Sequence, residues 1–185
     1  MQFLVACLLF FFLSVFPLHT SAQTATDSLN PPLVHMVTFE RVSSRNYQSW
    51  SIQYREFEKQ SKEFVIPLTL SFGNTTIDGS FLENKDIKEV DTYSLGFGFD
   101  GYEYLGSGFY FNLGLGAFPG VETIERQNND RTTGFLIGGT ASTGFLFIPF
   151  PEFGLVLGLN AIGRLSNSKV ISSSIGFGIE AGFNF

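Results

Sequence analysis

The last twelve residues of the chain alternate strictly between two kinds of side chain. One set is apolar and mostly bulky: Ile175, Phe177, Ile179, Ala181, Phe183 and Phe185. The other set is small or polar: Ser174, Gly176, Gly178, Glu180, Gly182 and Asn184. Because successive side chains of a β-strand point to opposite faces, this pattern predicts a strand with one bulky apolar face and one small polar face.

The same alternation recurs along the chain from residue 34 onward. It predicts eight strands, at about 34–43, 49–57, 64–72, 93–100, 109–116, 132–147, 153–164 and 174–185. Pro67 interrupts the third strand, because proline cannot donate a hydrogen bond to a neighbouring strand. Gly138 and Gly139 suggest a β-bulge in the sixth strand.

The connections between these strands also alternate in length. Polar loops are predicted at 74–90 and 119–131, and shorter ones at 44–48 and 166–169 fall at the same end. Tight turns are predicted at the opposite end, around 58–62, 101–105 and 148–151. Long loops at one end and tight turns at the other are typical of outer-membrane β-barrels.

The next question is which face of the strands meets the surroundings. The chain is 44% hydrophobic and holds 23 Phe and 20 Gly, yet no apolar run after residue 22 approaches the roughly 18 residues of a spanning helix. The interior of an eight-stranded barrel has room for small polar side chains but not for two dozen bulky ones. The bulky face is therefore predicted to meet lipid. The expected fold is all-β, an eight-stranded antiparallel up-and-down transmembrane β-barrel over residues 34–185.

The N-terminus has the pattern of an export signal. An apolar stretch ends at Pro17 and is followed by small residues up to Ala22, so residues 1–22 are predicted to be removed and 23–33 to form a periplasmic segment. The alternatives are an uncleaved anchor helix and a lipid anchor at Cys7, although Cys7 precedes most of the apolar stretch. Cleavage would leave no cysteine, one histidine and a net charge of −6, which disfavours a nucleic-acid partner.

The C-terminal strand resembles the signature strand of bacterial outer-membrane β-barrel proteins. The signature residues here are Phe177, Ile179, Ala181, Phe183 and the final Phe185. With the export signal and eight strands, the chain is similar to small barrels of the OmpA/OmpX type over nearly its whole length. The resemblance implies recognition by the barrel assembly machinery and contact with outer-membrane lipid and lipopolysaccharide. We expect a monomer without a cofactor and without a peptidoglycan-binding domain after the barrel.

Few charged residues have the parity of the inner face. They are Glu40, Arg55, Asp100, Arg164 and Glu180. Up-and-down topology would place Glu40 and Arg164 in the extracellular half, and Arg55 and Glu180 in the periplasmic half. We expect interior ion pairs among them, because an unpaired charge in a narrow lumen is costly. No catalytic or metal-binding role is predicted for these residues.

Three functions remain open at this stage. The first is a structural or surface-interaction role through the extracellular loops, including the acidic loop 74–91, whose Asp78, Glu83, Asp86, Glu89 and Asp91 lack EF-hand spacing. The second is a narrow channel or carrier, because inward glycines loosen the lumen. The third is lipid A modification, but the resemblance implies a Ser/His pair at the extracellular rim for hydrolysis, whereas His35 begins the first strand at the periplasmic end.

Overall fold

The computed structural model describes residues 33–57, 64–77, 79–82, 86–150 and 153–185. These residues form nine β-strands and one short helix: β1 (His35–Ser43), β2 (Tyr47–Glu56), β3 (Phe64–Val65), β4 (Leu68–Ile77), α1 (Gly79–Leu82), β5 (Ile87–Gly106), β6 (Phe109–Arg126), β7 (Arg131–Phe147), β8 (Leu155–Ser166) and β9 (Ser173–Asn184). The predicted export signal, Cys7, all of the 23–33 segment but its last residue, and the acidic residues Asp78 and Glu83 lie outside the described residues.

The strands close into an antiparallel barrel with eight strand positions around its wall, and we call each position a stave. Apart from the two-residue β3, which pairs with β5, strands adjacent along the chain pair with each other, and β1 pairs with β9 to close the sheet. β3 and β4 make one stave, because both pair with the same edge of β5 in one register, with Val65 opposite Tyr102 and Leu68 opposite Phe99. The break falls at Pro67, which has no N–H to give to the ladder. The all-β, eight-stranded up-and-down barrel is thus confirmed.

Both termini of the barrel lie at one end, which we call the terminal end. There His35 and Phe185 exchange two backbone hydrogen bonds, of 3.0 and 2.8 Å between nitrogen and oxygen. The β5–β6 connection at 107–108 and the β7–β8 connection at 148–154 also lie at this end. The opposite, distal end carries the β1–β2, β4–β5, β6–β7 and β8–β9 connections. No helix in the described residues is long and apolar enough to cross a membrane.

Strands extend into both predicted loops, 74–90 and 119–131, which corrects the expectation from the sequence. β4 continues to Ile77 and β5 begins at Ile87, while β6 and β7 leave only residues 127–130 between them. β-Branched residues such as Val121 and Thr123 suit an extended chain. Asn129, with a φ of 63°, forms the turn that the sequence analysis did not recognise.

Two local predictions were also wrong. The turn expected at 101–105 lies inside β5, and the chain reverses instead at Ser107 and Gly108, both with positive φ. No bulge occurs at Gly138 and Gly139, because β6 and β7 pair without a shift along their shared length. The irregularities occur in β5, between Ile87 and Glu89 and between Tyr104 and Gly106.

The outer face of the barrel is an apolar belt. Side chains two residues apart on each stave are exposed, as Phe177 and Ile179 on β9 are, at 73% and 62%. The belt also includes Phe39, Ile52, Leu70, Phe72, Leu95, Phe97, Phe99, Leu115, Phe135, Ile137, Phe145, Leu157, Leu159, Ile175, Phe183 and Phe185. A belt of this extent suits the hydrocarbon of a bilayer and not water.

The interior has three layers, and two of them differ from the expected small polar lumen. The terminal cluster is apolar and comprises Met36, Phe57, Tyr102, Tyr110, Leu146, Ile148 and Val156. The distal cluster is also apolar and comprises Val42, Tyr47, Ile77, Leu82, Val90, Ile124 and Val170. Between them lies a polar layer that contains the inward charges. Glycines occupy many inward positions of the middle layer and leave space there for its polar side chains.

Candidate functional site

Four staves bring the polar layer together around one guanidinium. Arg55 of β2, Asp100 of β5, Glu180 of β9 and Glu40 of β1 are each at most 9% exposed. With Asn160 of β8 they form what we call the lumen network. Their inward direction follows from strand parity, as the sequence analysis expected.

All three nitrogens of the Arg55 guanidinium have acceptors. Nε donates to Asp100 Oδ2 at 3.3 Å, Nη1 forms an ion pair with Glu180, and Nη2 donates to Gln53 Oε1 at 2.5 Å. Nη1 also donates to Thr38 Oγ1 at 3.1 Å. A buried charge that has an acceptor at each nitrogen and two carboxylates beside it avoids the large cost of an unpaired ion.

Glu40 is held by neutral donors. Its carboxylate accepts hydrogen bonds from Gln53 Nε2 at 2.6 Å and from Asn160 Nδ2 at 3.0 Å. The same Asn160 nitrogen donates to Glu180 at 3.0 Å, and Glu40 lies directly opposite Glu180 in the β1–β9 register. Placing Glu40 and Glu180 in different halves of the barrel was therefore wrong, because parity does not fix the register between strands.

Arg164 is separate from the lumen network. Its Nη1 donates to Thr75 Oγ1 at 2.9 Å, and its guanidinium carbon lies 4.0 Å from the centre of the Phe118 ring. Within the described part of the chain it forms no ion pair, so the structure brings Arg55 and Glu180 together but leaves Arg164 out. The buried Glu122, which the sequence pattern placed in a predicted loop, accepts hydrogen bonds from Ser168 Oγ and from the Lys169 N–H.

A cavity of about 150 Å³ lies in the polar layer. Arg164 and all members of the lumen network except Glu180 line it, together with many hydroxyl groups and glycines. The hydroxyl groups belong to Ser49, Ser51, Thr69, Ser71, Thr75, Ser94, Thr140 and Ser142. Apolar clusters occupy the barrel on either side of this cavity, which we call the chamber.

His35 does not form a catalytic pair among the described residues. It lies at the terminal end, where its Nδ1 is 3.0 Å from the Tyr54 hydroxyl and its ring is 5.9 Å from that of Phe185. A hydrolase would need a nucleophile and a base within hydrogen-bond reach of each other. The neighbours of His35 are instead aromatic side chains at a barrel rim.

The distal parts of β5, β6 and β7 form a charged rim. Lys88 and Glu125 face each other across β5 and β6, with Nζ and Oε1 2.5 Å apart. The hydrogen bond from Lys88 lowers the pKa of the Glu125 carboxyl and raises that of the Lys88 ammonium group. We call the residues 87–91, 122–126 and 131–134 the distal rim.

The closed eight-stranded barrel with its outer apolar belt has the fold of the small outer-membrane β-barrels. Comparison with solved structures finds the same fold. Ail, the attachment invasion locus protein of Yersinia pestis, is 18% identical with a TM-score of 0.50, over 82% of this chain and 95% of Ail. Neisserial surface protein A is 13% identical with a TM-score of 0.56, over 82% and 94%. The outer membrane enzyme PagL is 11% identical with a TM-score of 0.54, over 81% and 99%. No protein-family model and no curated protein matches the sequence.

Proposed function

We propose that this chain is an outer-membrane protein that binds partners at the cell surface through its distal rim. The observation that carries this proposal is the unequal length of the staves. β5, β6 and β7 have 20, 18 and 17 residues, whereas β1 has 9. About 9 to 11 residues suffice to cross a bilayer, so these three strands continue beyond it.

The chemistry of the rim supports contact with water and macromolecules. Lys88, Glu89, Glu125 and Arg131 are charged, and residues 127–135 are exposed without a break. Two structural neighbours have names that refer to attachment and to the cell surface, and both share this barrel at low identity. On this proposal the distal end faces outward, the belt contacts lipid and lipopolysaccharide, and the signal is cleaved near Ala22.

Transport receives less support from the structure. The terminal and distal clusters fill the barrel on both sides of the chamber. A catalytic role also receives little support, because no hydroxyl group of a serine contacts His35 in the described residues. The exposed rim remains the part of the molecule best suited to function.

A shortened rim tests the proposal. Residues 124–132 are replaced by Asn-Gly, which favours a two-residue hairpin turn, leaves Thr123 opposite Thr133 and keeps the membrane-spanning parts of β6 and β7. Bacteria that express the full chain should adhere to immobilised extracellular-matrix extract, and the shortened variant should lose most of this adhesion. The matched control replaces only the turn 127–130 with four other turn residues.

Assembly is checked by the shift in gel mobility between heated and unheated samples. If the shortened variant assembles and adheres as well as the full chain, the rim is not the binding element. If the full chain adheres no better than the empty strain, the surface-binding proposal is wrong for this probe class.

A further inference from the structure

Four oxygen-bearing side chains converge on one wall of the chamber. In the register of β6, β7 and β8, Gly144 lies between Asn112 and Asn160. In the neighbouring row Gly114 lies between Asp100 and Ser142. Each glycine leaves open the space over its Cα, and the flanking side chains lean into this space.

The close approach is visible from what a side chain at these glycines would meet. A Cβ on Gly144 would clash with Asn160 Oδ1 and lie 3.0 Å from Asn112 Oδ1. A Cβ on Gly114 would clash with both Asp100 Oδ1 and Ser142 Oγ. All four side chains line the chamber. Their oxygens therefore form two pairs, one over Gly144 and one over Gly114, in neighbouring rows of the chamber wall.

One of these oxygens has no donor within the described residues. Asn112 is 4% exposed, and its Oδ1 accepts no hydrogen bond there. Asp100 uses Oδ2 for both Arg55 and Thr69, so that Oδ1 points toward Gly114. A buried acceptor without a donor is costly, so this arrangement calls for a positively charged or donating group between the oxygens.

The charge of the interior has the matching sign. The carboxyl groups of the polar layer in the described residues are those of Glu40, Asp100 and Glu180, whereas its cations are Arg55 and Arg164. Counted as ionised groups, the carboxylates exceed the guanidinium groups by one. In a medium of low dielectric constant such an excess attracts a counter-charge.

We propose that the chamber binds one alkali-metal cation, such as Na⁺, through Asp100 Oδ1, Asn112 Oδ1, Ser142 Oγ and Asn160 Oδ1. Amide, hydroxyl and carboxylate oxygens are suitable ligands for hard cations. No three His, Cys, Asp or Glu side chains in the described residues are grouped as for a metal centre, which favours a singly charged ion over a divalent one. The ion would add one positive charge beside the lumen network and satisfy the Asn112 acceptor.

The test measures unfolding of the full barrel in detergent at equal ionic strength in NaCl and in choline chloride. Choline is a quaternary ammonium ion whose methyl groups keep oxygen ligands away from its charge, so Na⁺ should raise the unfolding midpoint of the wild type by a few degrees and choline should not. Asn112→Leu and Ser142→Ala should each abolish most of this difference. The control Ser94→Ala also changes a chamber-lining hydroxyl, but outside the ligand set, and should keep the difference.

A second measurement locates the ion directly. Crystals soaked in RbCl should show an anomalous peak beside Asn112 and Asp100, and Ser142→Ala should weaken it. Equal unfolding midpoints for the wild type in the two salts, together with no anomalous peak, would overturn the proposal. The Asn112 side-chain amide would then be reversed, so that its nitrogen donates a hydrogen bond to Asn160 Oδ1. If Asn112→Leu fails to assemble, Ser142→Ala decides the outcome.

Discussion

Arg55 illustrates what a charged side chain requires inside a narrow barrel. It is 3% exposed, and Asp100 and Glu180 accept hydrogen bonds from opposite sides of its guanidinium group. The ion pairs of Arg55 add little net free energy of folding, but removing either carboxylate would leave a buried charge unpaired and would destabilise the barrel. Glu40, which neutral donors hold and which faces Glu180, is in a different situation although it is equally buried.

The two glutamates should therefore respond differently to neutralisation. Glu180→Gln removes the charge paired with Arg55 and should lower the free energy of unfolding by about 3 kcal/mol. Glu40→Gln removes a like charge opposite Glu180 and should change it by less than about 1 kcal/mol. Urea unfolding in detergent measures both, and equal losses would contradict this account of the network.

Gly144 and Gly134 make a matched pair of glycine sites on β7. Gly144→Ala would place a methyl group against Asn160 and the Leu159 carbonyl, and should destabilise the barrel by about 1 to 3 kcal/mol. Gly134 has no atom within 4 Å of a new Cβ, so Gly134→Ala should be neutral or slightly stabilising. The same unfolding assay checks both. If Gly134→Ala destabilised the barrel as much as Gly144→Ala, the effect of both substitutions would come from the backbone conformation and not from the space around the new methyl group.

At the scale of elements, the β7–β8 pairing ends before β7 does. The last paired residues are Gly138 and Ser166, but Ile137 and Phe135 are still exposed apolar residues of the belt. Asn167 takes the place of the missing strand: its Oδ1 accepts from the Ile137 N–H at 2.8 Å, and its Nδ2 donates to the Phe135 carbonyl at 3.3 Å. A backbone edge at the membrane surface is thereby kept satisfied.

Loss of this side chain should expose the end of β7 locally. Asn167→Ala should make hydrogen exchange at the Ile137 amide about fivefold faster, as expected for one lost hydrogen bond of about 1 kcal/mol. Asn128→Ala is the control, because its side chain bonds only within the β6–β7 turn. Unchanged exchange at Ile137 would mean that the backbone bond from Asn167 N–H to the Ile137 carbonyl holds this edge without the side chain.

For the whole molecule, the main property is closure. The sheet closes through β1 and β9, and the interior is blocked by the terminal and distal clusters on either side of a chamber of about 150 Å³. An eight-stranded barrel has an interior just wide enough for side chains to fill, and here large ones fill it at both ends.

Because apolar side chains fill both ends of the barrel, we predict that it does not conduct ions. The wild type in a planar bilayer should show no steady single-channel conductance. Tyr102→Ala alone should remain silent, because the distal cluster still blocks the barrel, whereas Tyr102→Ala combined with Leu82→Ala should give small openings. Steady conductance in the wild type, with assembly confirmed by gel mobility, would refute the sealed interior.

Strand parity made the general fold predictable. Phe177 and Ile179 face outward and Glu180 inward because the strand backbone alone sends alternate side chains to opposite faces. The final Phe185 and the signature before it lie on the outer face as the pattern indicated, and their role in assembly remains a prediction.

The contacts of the site depended on information that parity does not contain. The meeting of Glu40 with Glu180, the isolation of Arg164 from the carboxylates, and the approach of Asn112 to Asn160 over Gly144 all follow from the register between strands. Register is a relation between segments distant in sequence, and it is set only when every stave is in place around the closed barrel. The sequence by itself thus determined which face meets lipid, and the tertiary structure decided which interior groups meet one another.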